Sequence, residues 1–213
     1  MLRLLPFRQY DDMDVVNMFA LEDGYVNDNV TGVGNGDAGV FVKITTGNFN
    51  ADPVEYGVDA YLGKTDYPHV GYSKYPKVPK KIAPASSGEI PFGVTLSQTA
   101  KYDENGEKLL YYPVKTYESH ALVPGQAVPV ATAGIFTIST NAFDGDISHG
   151  YGVGTGLMMS NSNVGKVTGV IATNSAAFAT IIGTGSRTSQ TNTDQFASVG
   201  TAATGEYLVI KFK

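Results

Sequence analysis

The chain has 213 residues, no cysteine, no tryptophan, 25 glycines and only 16% charged residues, where an average soluble domain carries about 25%. Without cysteine there is no disulfide scaffold, no thiolate-bound metal and no cysteine nucleophile. The net charge of −5 argues against a chain that works by neutralising phosphates, so nucleic acid is not an expected partner.

No run approaches the roughly 18–20 consecutive apolar residues of a membrane-spanning helix, so no membrane partner is expected. Met1 to Tyr10 lacks the apolar region and small-residue cleavage site of a secretion signal. The expectation is synthesis in the cytoplasm and a single domain large enough to bury a core.

In chain order, Leu2, Leu4, Leu5 and Phe7 form an apolar opening interrupted by Arg3, Pro6 and Arg8. Tyr10 to Leu21 then has the marks of a short helix. Asp11 or Asp12 can cap a first turn, Asp14 suits the positive end of the helix dipole, and Gly24 offers a stop. Val15, Met18 and Phe19, with Met13, fall at three- and four-residue spacings along one stripe. Two readings follow: a terminal strand and helix packed on their own domain, or an arm that docks on a neighbouring subunit. As an arm, residues 1–21 should be removable without loss of the remaining fold. The chain accordingly divides into an N-terminal arm, 1–24, and a β domain, 25–213.

From Gly39 the period is that of strands. Val40 to Thr45 is a β-branched and aromatic run closed by Gly47-Asn48. Similar runs follow at 55–62, 92–97, 109–116, 127–132, 134–139, 166–173, 177–182 and 207–212, nearly all punctuated by Gly, Asn, Asp or Pro. Many short strands without alternating helices predict a mainly β fold, an antiparallel barrel or sandwich. Two stretches interrupt it. Tyr67 to Pro84 carries Pro68, Pro76, Pro79 and Pro84 among Tyr72, Lys74, Tyr75, Lys77, Lys80 and Lys81, and proline removes amide donors, so an extended surface loop is expected there. Its lysines suit either a solvated loop or an acidic partner surface. The stretch 101–121 opens with Asp103-Glu104-Asn105-Gly106, which reads as an inserted hairpin.

The chemistry-bearing residues do not assemble into a known catalytic signature. His69, His120 and His149 are far apart in sequence, and no metalloprotease, nucleophile-elbow or phosphate-loop pattern occurs. The alternating glycines at 32–39 and 150–156 lack the strand-then-helix setting of a dinucleotide loop. They fit loops that visit positive φ or lie close to other chain segments. Asp144 and Asp146 flank Gly145 without the twelve-residue ligand loop of a calcium site, which points to a turn. No enzyme activity, cofactor or metal is expected.

The strand segments Gly88 to Ser97 (GEIPFGVTLS) and Val123 to Ser139 (VPGQAVPVATAGIFTIS) carry a familiar pattern, extended by Val164 to Ile171 and Gly205 to Phe212. Over residues 85–213 it resembles the decoration, or cement, proteins of tailed-phage capsids. In those a Gly-Val-Thr-Leu-type strand precedes a Pro-Gly-x-x-Val-x-Val-x-x-x-Gly run, and the hairpin at 101–121 departs from the shorter family form. The resemblance implies a small β module that binds the outer surface of a virion shell and cements neighbouring coat subunits. Its partners would be the major capsid protein and neighbouring copies of itself, as in a trimer. The segments suited to those contacts are the arm, with Leu4, Leu5, Phe7, Val15, Met18 and Phe19, and the basic loop, with Tyr72, Lys74, Tyr75, Lys77, Lys80 and Lys81. Two other classes fit the composition. One is a different virion part, such as a head fibre base, tail or baseplate protein. The other is a carbohydrate-binding β-sandwich using Tyr72, Tyr75, Tyr111 and Tyr112 as a platform.

Overall fold

The structure, a computed structural model, describes residues 3–20, 38–45, 81–99, 114, 121–122, 127–139, 141–144, 151–170, 175–187 and 205–212. In chain order its strands are β1 (Leu4–Gln9), β2 (Val15–Ala20), β3 (Phe41–Thr45), β4 (Lys81–Pro84), β5 (Gly93–Thr95), β6 (Gln98–Thr99) and β7 (Ala121–Leu122). There follow β8 (Ala127–Ala131), β9 (Gly134–Ser139), β10 (Gly156–Met159), β11 (Val167–Val170), β12 (Ala179–Arg187) and β13 (Gly205–Phe212). The protein is mainly β with antiparallel sheets, as the punctuated strand pattern predicts.

Six strands form an open sheet in the order β1-β9-β13-β12-β10-β11, every neighbour antiparallel. Five more pair as β2-β4-β3-β5-β8, and β8 pairs again with β2, so these ladders return on themselves in a ring. Only β2 and β4 run parallel within it. Alternation along β3 distributes the core between the two sheets. Val40 and Val42 join Met18, Ile82, Val128 and Val130 in one buried cluster drawn from the ring strands. Phe41 turns the other way, joining Leu4, Phe136, Ile138, Leu157, Leu208 and Ile210 between ring and open sheet. There it meets Phe178 and Phe212 at ring-centre distances of 5.4 and 6.3 Å. Burying each such ring contributes about 1.5–3 kcal/mol.

Two expectations are corrected. The helix expected over Tyr10 to Leu21 is instead a single 3-10 turn, Asp12–Asp14, followed by β2. The apolar spacing of Val15, Met18 and Phe19 suits either conformation. What decides is the antiparallel pairing of β2 with β8, Val15 to Ala131 through Phe19 to Ala127. The surface loop expected over Tyr67 to Pro84 ends in a strand, because Lys81–Pro84 is β4, hydrogen-bonded between β2 and β3. Only its last position is proline, where the lost amide costs least. The remainder of that loop, the runs at 55–62 and 109–116 save Val114, and the hairpin at 101–121 save Val114 and Ala121, lie outside the described residues.

One ion pair ties the ring to the turn after β4. Lys43 Nζ donates to Glu89 Oε1, while Glu89 Oε2 accepts from the Ser86 amide and hydroxyl, each at 2.8 Å. The Lys43 hydrogen bond and then the Ser86 amide hold the Glu89 carboxyl well below its ordinary value of 4.5, at about 2. Because the folded state lowers this pKa, the pair's contribution is complete above 4.5 and is lost as pH falls toward 2. Both side chains are about one-third exposed, so the contribution stays under about 1 kcal/mol. Glu89→Gln is expected to lower the neutral-pH melting temperature slightly, and the gap from the parent should close on acidification to pH 2. A gap that persists there would mean that hydrogen bonding and packing, not charge, hold this turn.

Candidate interaction surface

The segment between β1 and β2 passes from the open sheet to the ring, and the segment between β8 and β9 crosses beside it in the opposite direction. Since β1 pairs with β9 and β2 with β8, the four strands form one antiparallel ribbon bent at a corner. Between the pairs Gln9–Ile135 and Val15–Ala131 the N-terminal side has residues 10–14, while the other side has only 132–134. The surplus has to leave the ladder. It does so as the 3-10 turn Asp12–Asp14, which carries Met13 outward.

Hydrogen bonds fix this turn. Asp11 Oδ1 accepts from the Met13 amide at 2.9 Å and the Asp11 carbonyl from the Asp14 amide at 3.0 Å. The Asp14 carbonyl accepts both the Thr132 amide, at 2.8 Å, and the Thr132 hydroxyl, at 2.9 Å, locking the two crossings together. Tyr10 stacks on Phe136 with ring centres 5.8 Å apart. On this rigid frame Met13 is 89% exposed and Phe7 58%, with Tyr10 and Val16 each 37% exposed. Single exposed apolar residues such as Ile90 or Val153 need no explanation. Here four fall within residues 7–16, on and beside a turn whose backbone is fixed by hydrogen bonds. Asp11 and Asp12 are exposed and Asp14 half-buried beside Met13, so the apolar projection has an acidic rim.

The sequence-derived contact residues separate clearly on this frame. Phe7 projects to solvent and Val15 is half-buried. Leu4, Leu5 and Met18 are buried within the chain's own cores, so they are corrected from partner contacts to core residues: β1 and β2 are integral strands. Phe19 and Lys81 are paired to each other across β2 and β4. Tyr72, Lys74, Tyr75, Lys77 and Lys80 lie outside the described residues, as do Tyr111, Tyr112 and all three histidines. Sequence reading placed Met13 on the helical stripe and passed over Tyr10 and Val16 as contacts. The signal that could have revealed the turn was three aspartates in four positions, Asp11, Asp12 and Asp14, a poor composition for a strand or helix interior.

β1 itself is an edge strand, but it is guarded. Pro6 offers no amide, the register shifts between Leu4 and Arg8, and Arg8 Nε donates back to the Leu5 carbonyl at 3.1 Å. Such devices oppose addition of a foreign strand. What this corner offers to solvent is therefore side chains and not an open strand edge.

Asp144 lies in the bend after β9, while Gly145 and Asp146, expected to form a turn with it, lie outside the described residues. The Asp144 carboxylate accepts from the Ser160 hydroxyl and the Asn163 side-chain amide, and Ser160 Oγ in turn accepts the amides of Ser162 and Asn163, each at 3.0 Å. The Tyr151 hydroxyl donates to the Asp144 carbonyl, and burial pushes the Tyr151 phenol above its ordinary value. These groups bind one another and tie the chain after β9 to the turn after β10. In comparison with known proteins, the chain matches no family model, no curated protein and no solved structure.

Proposed function

We propose that this protein is a structural virion component that binds the outer surface of a tailed-phage capsid and cements neighbouring coat subunits. It acts by surface complementarity, and the observation that carries the reading is the rigid β1–β2 corner with Met13 and Phe7 held out to solvent. The decoration-protein pattern read in the sequence supports it. The segments that carry it, Gly88 to Ser97 and Val123 to Ser139, include β5, β8 and β9, and β8 and β9 supply one side of this corner. A partner surface fitting the acid-rimmed Met13 would be an apolar hollow edged by basic residues. Repetition on a lattice makes a small contact sufficient, since neighbouring attachments reinforce one another.

The purified chain is expected to bind assembled, expanded shells and not unassembled coat subunits. Met13→Asp combined with Phe7→Ser should reduce shell attachment at least about tenfold, the loss of roughly 1.4 kcal/mol, with a cooperative melt only slightly below the parent's, because Met13 is almost fully and Phe7 more than half exposed. Co-sedimentation with shells measures this. Equal binding to shells and free subunits, or attachment indifferent to both substitutions, would overturn the assignment.

A further inference from the structure

We infer that the outer half of β12 is a self-pairing edge that joins two copies of this chain. β10 covers β12 only at Ala179 and Thr180, with two further bonds at Ile181: its amide donates to the Thr155 carbonyl at 2.9 Å and its carbonyl accepts from the Gly154 amide at 2.8 Å. From Ile182 to Arg187 the strand continues alongside β13 alone among the described strands.

The bonds at Ile181 fix which groups face the open side. Ile181 directs its amide and carbonyl away from β13, and antiparallel pairs alternate. After the bulge between Ile181 and Gly183, Gly183 and Gly185 therefore bond inward to β13, and Thr184 and Ser186 present their main-chain groups outward. Both of the latter are exposed. The other edges of this sheet are guarded in part. β1 has Pro6, its irregular register and Arg8, and β11 is bonded at Val167 to Ala142 and Asp144. The bulge at Ile182 lies at the inner end of the window, and from Gly183 to Ser186 there is no proline, no charge and no further bulge, the features by which an edge is normally blunted.

A second copy is the occupant that fits. The open window has Gly185 at its centre with one outward-bonding residue on each side, so a two-fold axis through Gly185 places Thr184 opposite Ser186 of the second copy, and the reverse. Each outward pair exchanges two main-chain hydrogen bonds, and threonine opposite serine is a favourable cross-strand pair. The two Gly185 residues meet on the axis in a non-bonded pair, where backbones approach most closely, about 4.5 Å between Cα atoms. Each is already covered on one face by its own Tyr207, whose hydroxyl lies 2.5 Å from where a Cβ would stand. β12 carries no acidic residue, so the pairing brings no carboxylates of this net-negative chain together.

The inference is independent of the shell-binding reading and is tested on the free protein. The chain has no cysteine, so introduced thiols report without background. Thr184→Cys with Ser186→Cys is expected to give a disulfide-linked dimer on mild oxidation, while either single substitution gives little, because neither residue faces its own copy in this register. In sedimentation velocity the parent should shift toward dimer with rising concentration. Thr184→Pro should abolish that shift with circular dichroism unchanged, since the amide it removes is not used by β13. The inference is overturned if the double-cysteine protein stays monomeric, if the single variants cross-link as well as the double, or if self-association survives Thr184→Pro. Cross-linking to an unrelated extended peptide in place of a second copy would also overturn it. Should Thr184→Pro disturb folding, the cysteine comparison decides alone.

Discussion

Deletion of residues 1–21 is expected to unfold the protein, not to release a removable arm. The deletion takes away β1, which buries Leu4 against Phe136 and Ile138 in the core between the sheets. It also removes β2, which joins β4 to β8 and carries Met18 into the other core. A single Leu4→Ala change should cost about 2–5 kcal/mol, the usual range for a buried leucine that leaves a cavity. A domain of this kind has only about 5–15 kcal/mol in total, so loss of both strands exceeds what the remainder can withstand. Circular dichroism and thermal melting of the truncated chain measure it. A truncated protein that melts cooperatively near the parent temperature would restore the arm and refute the integral role of β1 and β2.

Gly39→Ala is expected to destabilise by roughly 3 kcal/mol or more, through two effects that a control separates. Gly39 has a φ of +97°, where an L side chain is strained by about 1–3 kcal/mol. A Cβ there would also stand 2.9 Å from both the Cβ and the backbone nitrogen of Leu4, and a paired strand cannot easily retreat. Gly88 has a similar φ of +78° but open space around the missing Cβ, so Gly88→Ala should show only the backbone strain, about 1–2 kcal/mol. Denaturant midpoints for the two variants give the comparison. If Gly39→Ala proves as mild as Gly88→Ala, the close approach of β1 to the entry of β3 contributes nothing to stability.

The two proposed surfaces differ in physical type. At the β1–β2 corner the turn is held by its own hydrogen bonds and the side chains of Met13, Asp11 and Asp12 are exposed, so binding there would depend on apolar fit and on the charges of Asp11, Asp12 and Asp14. Salt should weaken only the latter part. Along β12 beyond Ile181 the main chain pairs with β13 alone among the described strands and Thr184 and Ser186 are small, so the proposed association would depend on hydrogen-bond register and respond to proline more than to salt.

Much of the strand content was legible locally. Gly134 to Ser139 and Phe41 to Thr45 are β-branched or aromatic runs bounded by turn residues, and they fold as β9 and β3 with almost the expected limits. For Tyr10 to Leu21 local signals were ambiguous: the same spacing of Val15 and Met18 serves a helix face or a strand, and only the partners β8 and β4 select the strand. Lys81–Pro84 was masked by the prolines before it, although a strand needs free amides only where a neighbour accepts them.

What the sequence alone determined, then, is that this chain makes short strands and turns and where most of them lie, because β propensity and glycine or proline punctuation act within a few residues. What only the tertiary structure decided is which apolar residues are core and which are surface. Leu4 and Met13 are equally apolar to a sequence reader, yet one is sealed between two sheets and the other is held in solvent. The difference comes from unequal lengths on the two sides of a bent ribbon, and strand register is a property of the pair, written in neither strand by itself.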